Sequence, residues 1–299
     1  MKSIAIVIAL AATAHAQEAD DVSYRVKQGD TVELVAAELY GDHAKTAVFI
    51  AEENKLKPPY KIYPGERLKV PVTREIATSK GDTFGSLAAQ YLGDDKRAPF
   101  LADANHMQPT DALPTGTVLV VPFAVTYVAQ GSEPLVVVAT AFYGDPKQAE
   151  ALRAYNGLDR NALDKGESIL IPSLHVRTRS EHAPTLDADG AQRHEQQKRA
   201  LAEAQAKLPI ARADWREGDF KQVQSVLGPI ASRLDYLDTK TLIEVGVLLA
   251  KADVASDDKD AAIALFQEVR ARAPSETLSA YTESPKVLDA WRAAHGAVQ

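Results

Sequence analysis

The residue types that most often carry catalysis are spaced in this chain in ways that leave them little to do. Cysteine is absent. That excludes thiol peptidases, cysteine-based transpeptidases, disulfides and a lipid-modified N-terminal cysteine. The histidines are His15, His43, His106, His175, His182, His194 and His295. They form no His-x-His or His-Glu-x-x-His pair of the kind that holds a catalytic zinc, and His175 and His182 read as solvated loop side chains. No Gly-x-Ser-x-Gly motif supplies an activated serine. Acidic pairs such as Asp94-Asp95 and Asp257-Asp258 read as solvated turns, because nothing places them in an apolar pocket that would raise a pKa. What does recur is a polar turn. Gly29-Asp30-Thr31 returns as Gly81-Asp82-Thr83 and, altered, as Gly131-Ser132-Glu133. These turns open helices, where backbone N–H groups lack partners within the helix.

The elements that position these turns repeat with them. Tyr40-Gly41-Asp42 recurs as Leu92-Gly93-Asp94 and Tyr143-Gly144-Asp145, and Asn54, Asn105 and Asn156 follow at steps of 51 residues. Each unit closes on an apolar run ending in proline: Leu68–Pro71, Leu119–Pro122 and Ile169–Pro172. Such internal periodicity marks a repeat architecture. Each unit predicts strand, helix, helix, strand. The first strands are Tyr24–Val26, Glu75–Ala77 and Thr126–Val128. Asp30, Asp82 and Ser132 are placed to N-cap the first helix, with Glu33 as a capping-box partner. One buried helix face repeats as Val32, Val35, Ala36, Leu39; Phe84, Leu87, Ala88, Tyr91; and Leu135, Val138, Ala139, Phe142. Ile50, Leu101 and Leu152 lie four residues before the asparagines, on the inner face of the second helix. Each asparagine is expected to end that helix in the left-handed conformation.

Gly-Asp-Thr, an apolar helix, Tyr-Gly-Asp, a helix ending in Asn, then Pro-Gly-Glu before Leu-x-Val-Pro: this order resembles the LysM family. The first unit carries it in full through Tyr63-Pro64-Gly65-Glu66, the second keeps most of it, and the third departs furthest. The resemblance covers 23–173 and implies a βααβ fold that binds N-acetylglucosamine glycans, in bacteria usually peptidoglycan. It further implies a shallow groove between the first strand–helix turn and the loop before the last strand. Carried onto this chain, the grooves are Gly29, Asp30 and Thr31 facing Ile62 and Tyr63; Gly81, Asp82 and Thr83 facing Leu113; and Gly131, Ser132 and Glu133 facing Leu163. Backbone groups of the two turns would bind the acetamide, and an apolar floor its methyl. Glu133, with one extra residue between Gly131 and the helix face, predicts the weakest groove in the third unit. Tandem modules gain avidity when the glycan spacing fits, and the short linkers 72–74 and 123–125 predict a fixed arrangement.

Composition agrees with a neutral ligand. The net charge is −7 and the pI near 5.6, whereas a phosphate-backbone binder needs a basic face; no nucleic-acid partner is expected. Lys2, the apolar run Ile4–Ala14 and Ala14-His15-Ala16 predict a signal peptide over 1–16, cleaved before Gln17. That places the protein in the periplasm or outside the cell, with no membrane span after cleavage. The organisation read from the sequence is therefore α+β modules at 23–72, 74–123 and 125–173, a linker at 174–190, and an all-α half at 191–299. In that half Gly218-Asp219-Phe220, Val223, Leu227, Leu249, Ala262, Phe266, Val269 and Pro274 resemble a degenerate tetratricopeptide repeat. Asp253 and Gly246 stand where the family usually has an aromatic residue and a tryptophan. The resemblance implies a surface for an envelope protein partner. The expected function is non-catalytic wall binding, with no cofactor and no metal. A wall hydrolase or hydrolase regulator targeted by the repeats is the alternative, and repeats that bind protein a further one.

Overall fold

The computed structural model describes residues 21–41 and 43–294, with the backbone alone for 43–45. The signal-peptide reading, Asp42 and His295 lie outside the described residues. Three successive segments run strand, helix, helix, strand. The first is β1 (Asp21–Arg25), α1 (Val32–Tyr40), α2 (His43–Glu53) and β2 (Arg67–Pro71). The second is β3 (Arg74–Ala77), α3 (Phe84–Leu92), a 3-10 turn (Asp95–Arg97) with α4 (Ala98–Ala104), and β4 (Val118–Val121). The third is β5 (Ala124–Val128), a two-residue β6 (Glu133–Pro134), α5 (Leu135–Tyr143), a 3-10 turn (Pro146–Gln148) with α6 (Ala149–Tyr155), a two-residue β7 (Ala162–Leu163), and β8 (Ser168–Pro172). Outer strands pair within each segment, antiparallel in the first and third, with Asp21 opposite Pro71 and Ala124 opposite Pro172. The rest is helical: α7 (Ala188–Glu217), α8 (Phe220–Ala231), a 3-10 turn (Leu234–Tyr236), α9 (Thr239–Ala255), α10 (Lys259–Arg272) and α11 (Pro285–Ala293).

The chain divides into two compact units whose boundaries differ from the sequence reading. One holds residues up to 74, 84–109 and 121–184; the other holds 75–83, 110–120 and 185 onward. The outer strands and turns of the second segment thus belong with the helical half, and its helices with the first and third segments.

In the first unit the expected helix faces are buried. Val32, Val35, Ala36 and Leu39 in α1, and Leu135, Val138, Ala139 and Phe142 in α5, are at most 3% exposed. In α3, Leu92 takes the buried position expected of Tyr91. The first and third segments share one core. Phe49 of α2 is fully buried, with ring centroids 5.5 Å from Phe123 and 5.7 Å from Phe142. Arg97 lies over the Tyr155 ring at 4.4 Å and donates to the Tyr155 carbonyl at 3.0 Å, tying α4's leading turn to α6. Residues 174–184, read as linker, are fastened here. Thr73 and Thr178 exchange bonds of 2.8 and 3.1 Å, and the Arg179 amide donates to Leu39. Such side-chain-to-backbone bonds leave no apolar periodicity to read.

In the second unit one core runs through α7–α11. Gly218, left-handed at φ 78°, ends α7, and Asp219 caps α8 through the Gln222 amide. Gly246 replaces a bulky residue because α10 is close: a Cβ there would stand 2.6 Å from Val269. Asp253 is 7% exposed and accepts from Gln224 at 2.7 Å; burial pushes its pKa up. Trp291 meets Phe266 edge-on at 5.1 Å. No described helix is long and apolar enough to cross a membrane.

Candidate functional site: three equivalent turn pairs

Each βααβ segment brings two turns together by the same backbone bonds. Val26 donates to Glu66 and accepts from Gly65; Thr78 does so with Thr117 and Gly116, and Ala129 with Glu167 and Gly166. The glycines Gly65, Gly116 and Gly166 have φ of 94°, 84° and 84°, a region that costs L side chains strain. The asparagines brace the other side. Asn54 and Asn156 each donate to the last strand (Lys69, Leu170) and accept from its amide, at 2.7–2.9 Å. Their role is this bridge, which corrects the expected left-handed helix end. Asn105 and Asn156 have φ of −107° and −96°, and the positive φ falls on the next residues, Lys55, His106 and Gly157.

The acidic turn residues are latches rather than helix caps. Asp30 accepts from the Lys27 amide at 2.7 Å and the Tyr24 hydroxyl at 2.9 Å, and Asp82 from the Ser79 amide at 2.7 Å. The cap of α1 is Thr31, whose hydroxyl accepts from Leu34. In the third segment Glu133, not Ser132, does the latching. It accepts from the Gln130 amide at 2.8 Å, the Gly131 amide at 3.2 Å and the Tyr127 hydroxyl. Lys27–Asp30, Ser79–Asp82 and Gln130–Glu133 are all three residues apart, so Glu133 aligns with Asp30 and there is no inserted residue. Gly131 sits one position early. Burial alone would raise the Glu133 carboxyl, but Tyr127 and the two amides outweigh it and hold the pKa below the ordinary value. Burial, with Asp30 and Glu38 beside it, pushes the Tyr24 hydroxyl up. Tyr24 and Tyr127 each stand six residues before the acid, a recurrence the sequence shows and the site reading missed.

The three grooves differ. In the first, Gly29 (φ 90°) and Thr31 are exposed, Ile62 is half-buried, and the Tyr63 ring is 60% exposed. The backbone N–H and C=O groups of Gly29, Lys61 and Ile62 have no partner among the described residues. The Tyr63 amide is taken by Glu66 at 2.9 Å. In the third, the two walls are zipped: Glu133 pairs with Leu163 and Pro134 with Ala162, and the Leu135 amide donates to Asn161 at 2.8 Å. The longer glutamate latches from an extended backbone, which frees 133–134 to join a ladder; Leu163 is fully buried beneath it. In the second, Gly81 (φ 88°) and Thr83 are exposed, but Leu113, Pro114, Thr115 and Gly116 are all buried. Tyr63–Gly65 and Asp164–Gly166, the counterparts of Pro114–Gly116, are exposed.

His194 is held through Nδ1 by the Gly116 carbonyl at 3.0 Å. A Ser-x-x-Lys spacing, Ser256 to Lys259, falls in the turn between α9 and α10, where the Ser256 hydroxyl donates to Gln224 at 3.3 Å. Among the described residues no group of three or more His, Asp or Glu side chains is placed to hold a metal.

Two esterases from two strains of Mycobacterium tuberculosis are similar to this chain, each 27% identical over 172 residues. The match covers 55% of this chain and 38% of each relative, so the chain spans well under half of their length. No solved structure matches. Residues 24–71 and 79–122 each match the LysM domain family, so the comparisons and the repeated turn geometry together support a tandem LysM protein, of a family that binds N-acetylglucosamine glycans such as peptidoglycan.

Proposed function

We propose that this chain is a non-catalytic binder of cell-wall glycan, acting outside the cytoplasm, in which the first segment holds the working groove. The observation that carries this is that the backbone groups of Gly29, Lys61 and Ile62 lack partners among the described residues, while the Tyr63 ring of the same turn pair is exposed. An acetamide needs one donor and one acceptor, its methyl an apolar floor, and a pyranose face an aromatic ring. The pairing of 133–134 with 162–163 in the third segment supports this placement, because the first segment's counterparts are Asp30, Thr31, Lys61 and Ile62. The third segment is read as a LysM-like module that keeps the scaffold and has spent its groove on a ladder. The helical half, read as tetratricopeptide-like, is proposed to present a surface to an envelope protein. Calorimetric titration of the full chain with chitotetraose tests the glycan reading. Binding that Tyr63→Ala weakens supports it, and absence of any heat at millimolar sugar refutes it.

A wall hydrolase is the second reading, favoured by the relatives' being esterases. Release of acid from acetylated peptidoglycan by the purified chain would establish it and overturn the non-catalytic one.

A further inference from the structure

We propose that helix α7 and the 3-10 turn Leu234–Tyr236 are resident occupants of the 113–117 turn. Residues 75–83 and 110–120 of the second segment then serve as the mount of the helices they share a unit with, and the second groove is closed to glycan while that mount holds. The closure rests on the glycan reading above; the mount does not.

Four α7 residues at i, i+3, i+4 and i+7, one helix face, meet the strand and turn. Gly190 brings α7 close to Ala77, for a Cβ there would lie 3.4 Å from the Ala77 Cβ. Arg193 donates to the Ala77 carbonyl at 2.9 Å. His194 meets the Gly116 carbonyl at 3.0 Å, so Nδ1 carries the proton, and Gln197 donates to the Thr117 hydroxyl at 3.0 Å. From the other side, the Thr115 amide donates to the Asp235 carbonyl at 2.8 Å and its hydroxyl to the Asp235 carboxylate at 3.3 Å. Gly116 is needed twice. Its φ is 84°, and a Cβ would stand 2.4 Å from the Arg193 carbonyl oxygen; at Gly65 and Gly166, with φ of 94° and 84°, nothing lies within 4 Å. The wall that presents Tyr63 to solvent in the first segment is Pro114 in the second, and it is buried. One side of the second groove is therefore committed to the chain itself.

Hydrogen exchange read by mass spectrometry on the full chain tests this. In R193A/H194A/Q197A, amides of 112–118 are expected to exchange at least tenfold faster than in the wild type. Gly116→Ala should do the same, whereas Gly166→Ala, with the same φ and open space, should leave 112–118 unchanged. Added chitotetraose should slow exchange at 27–33 and 60–66 in the wild type and leave 112–118 untouched. In the triple variant it should slow 112–118 as well. Unchanged exchange at 112–118 in both the triple variant and Gly116→Ala overturns the mount. Sugar protection of 112–118 in the wild type, or none there in the triple variant once the turn is released, overturns the closure. Sugar protection nowhere in either protein removes the glycan reading and the closure with it, while the sugar-free comparison still decides the mount.

Discussion

Replacing Glu133 tests whether the third turn is latched by its carboxylate. In Glu133→Ala the amides of Gln130 and Gly131 and the Tyr127 hydroxyl lose their acceptor. Hydrogen bonds to a charged group contribute about 1.5–3 kcal/mol each when buried and less near solvent. Half-buried Glu133, with water able to replace part of the loss, gives about 2 kcal/mol in all. For a unit of this size that lowers Tm by roughly 4–8 °C. Glu133→Gln keeps an oxygen acceptor but loses the charge, and about half the effect is expected. The carboxyl is held below its ordinary pKa. Its contribution is therefore complete above the unfolded value near ~4.3 and is lost as pH falls through the folded value. Thermal unfolding of wild type and Glu133→Gln between pH 7 and pH 3 is the assay: a gap at neutral pH that closes in acid is expected. Equal stability at pH 7, or a gap unchanged at pH 3, would refute the latch and restore Glu133 as a free carboxylate in the groove.

Phe49→Ala should cost about 3–5 kcal/mol, because its ring is fully enclosed by the core shared by the first and third segments; denaturant unfolding measures it. Asn156→Ala should cost about 2–3 kcal/mol, with three neutral hydrogen bonds lost, while Asn156→Asp, which keeps the acceptor for Leu170, should recover part of it. Thr31→Ala removes the α1 cap and should lower stability by about 1 kcal/mol. Tyr63→Ala should leave stability unchanged and weaken chitotetraose roughly tenfold, since about 50 Å² of ring covered by sugar at ~25 cal/mol per Å² is close to 1.3 kcal/mol.

Much of the scaffold is legible in the sequence because it is written in apolar periodicity. The faces through Val32, Val35, Ala36 and Leu39 and through Leu135, Val138, Ala139 and Phe142 are buried as their spacing requires. The phase of the third turn is not legible from Gly131, since a longer acid reaches the same amide from an extended backbone and the glycine moves one place. The fastening of 174–184 escaped for a related reason: Thr73 and Thr178 are polar, distant in sequence and hydrogen-bonded to backbone. The buried 113–117 turn is the extreme case. Thr115 and Asp235 are 120 residues apart, and Pro114, Thr115 and Gly116 have the composition of an exposed loop. Residue type told where turns fall, but which turns stay open depends on contacts that leave no local pattern.

The central claim is that the first groove reads wall glycan. Sedimentation of the full chain with purified peptidoglycan sacculi tests it most directly. The wild type should pellet with sacculi, chitotetraose should return it to the supernatant, and Tyr63→Ala should stay largely in solution at the same concentration. A wild type that stays in solution, or one that pellets equally with and without chitotetraose and with Tyr63 replaced, would contradict it.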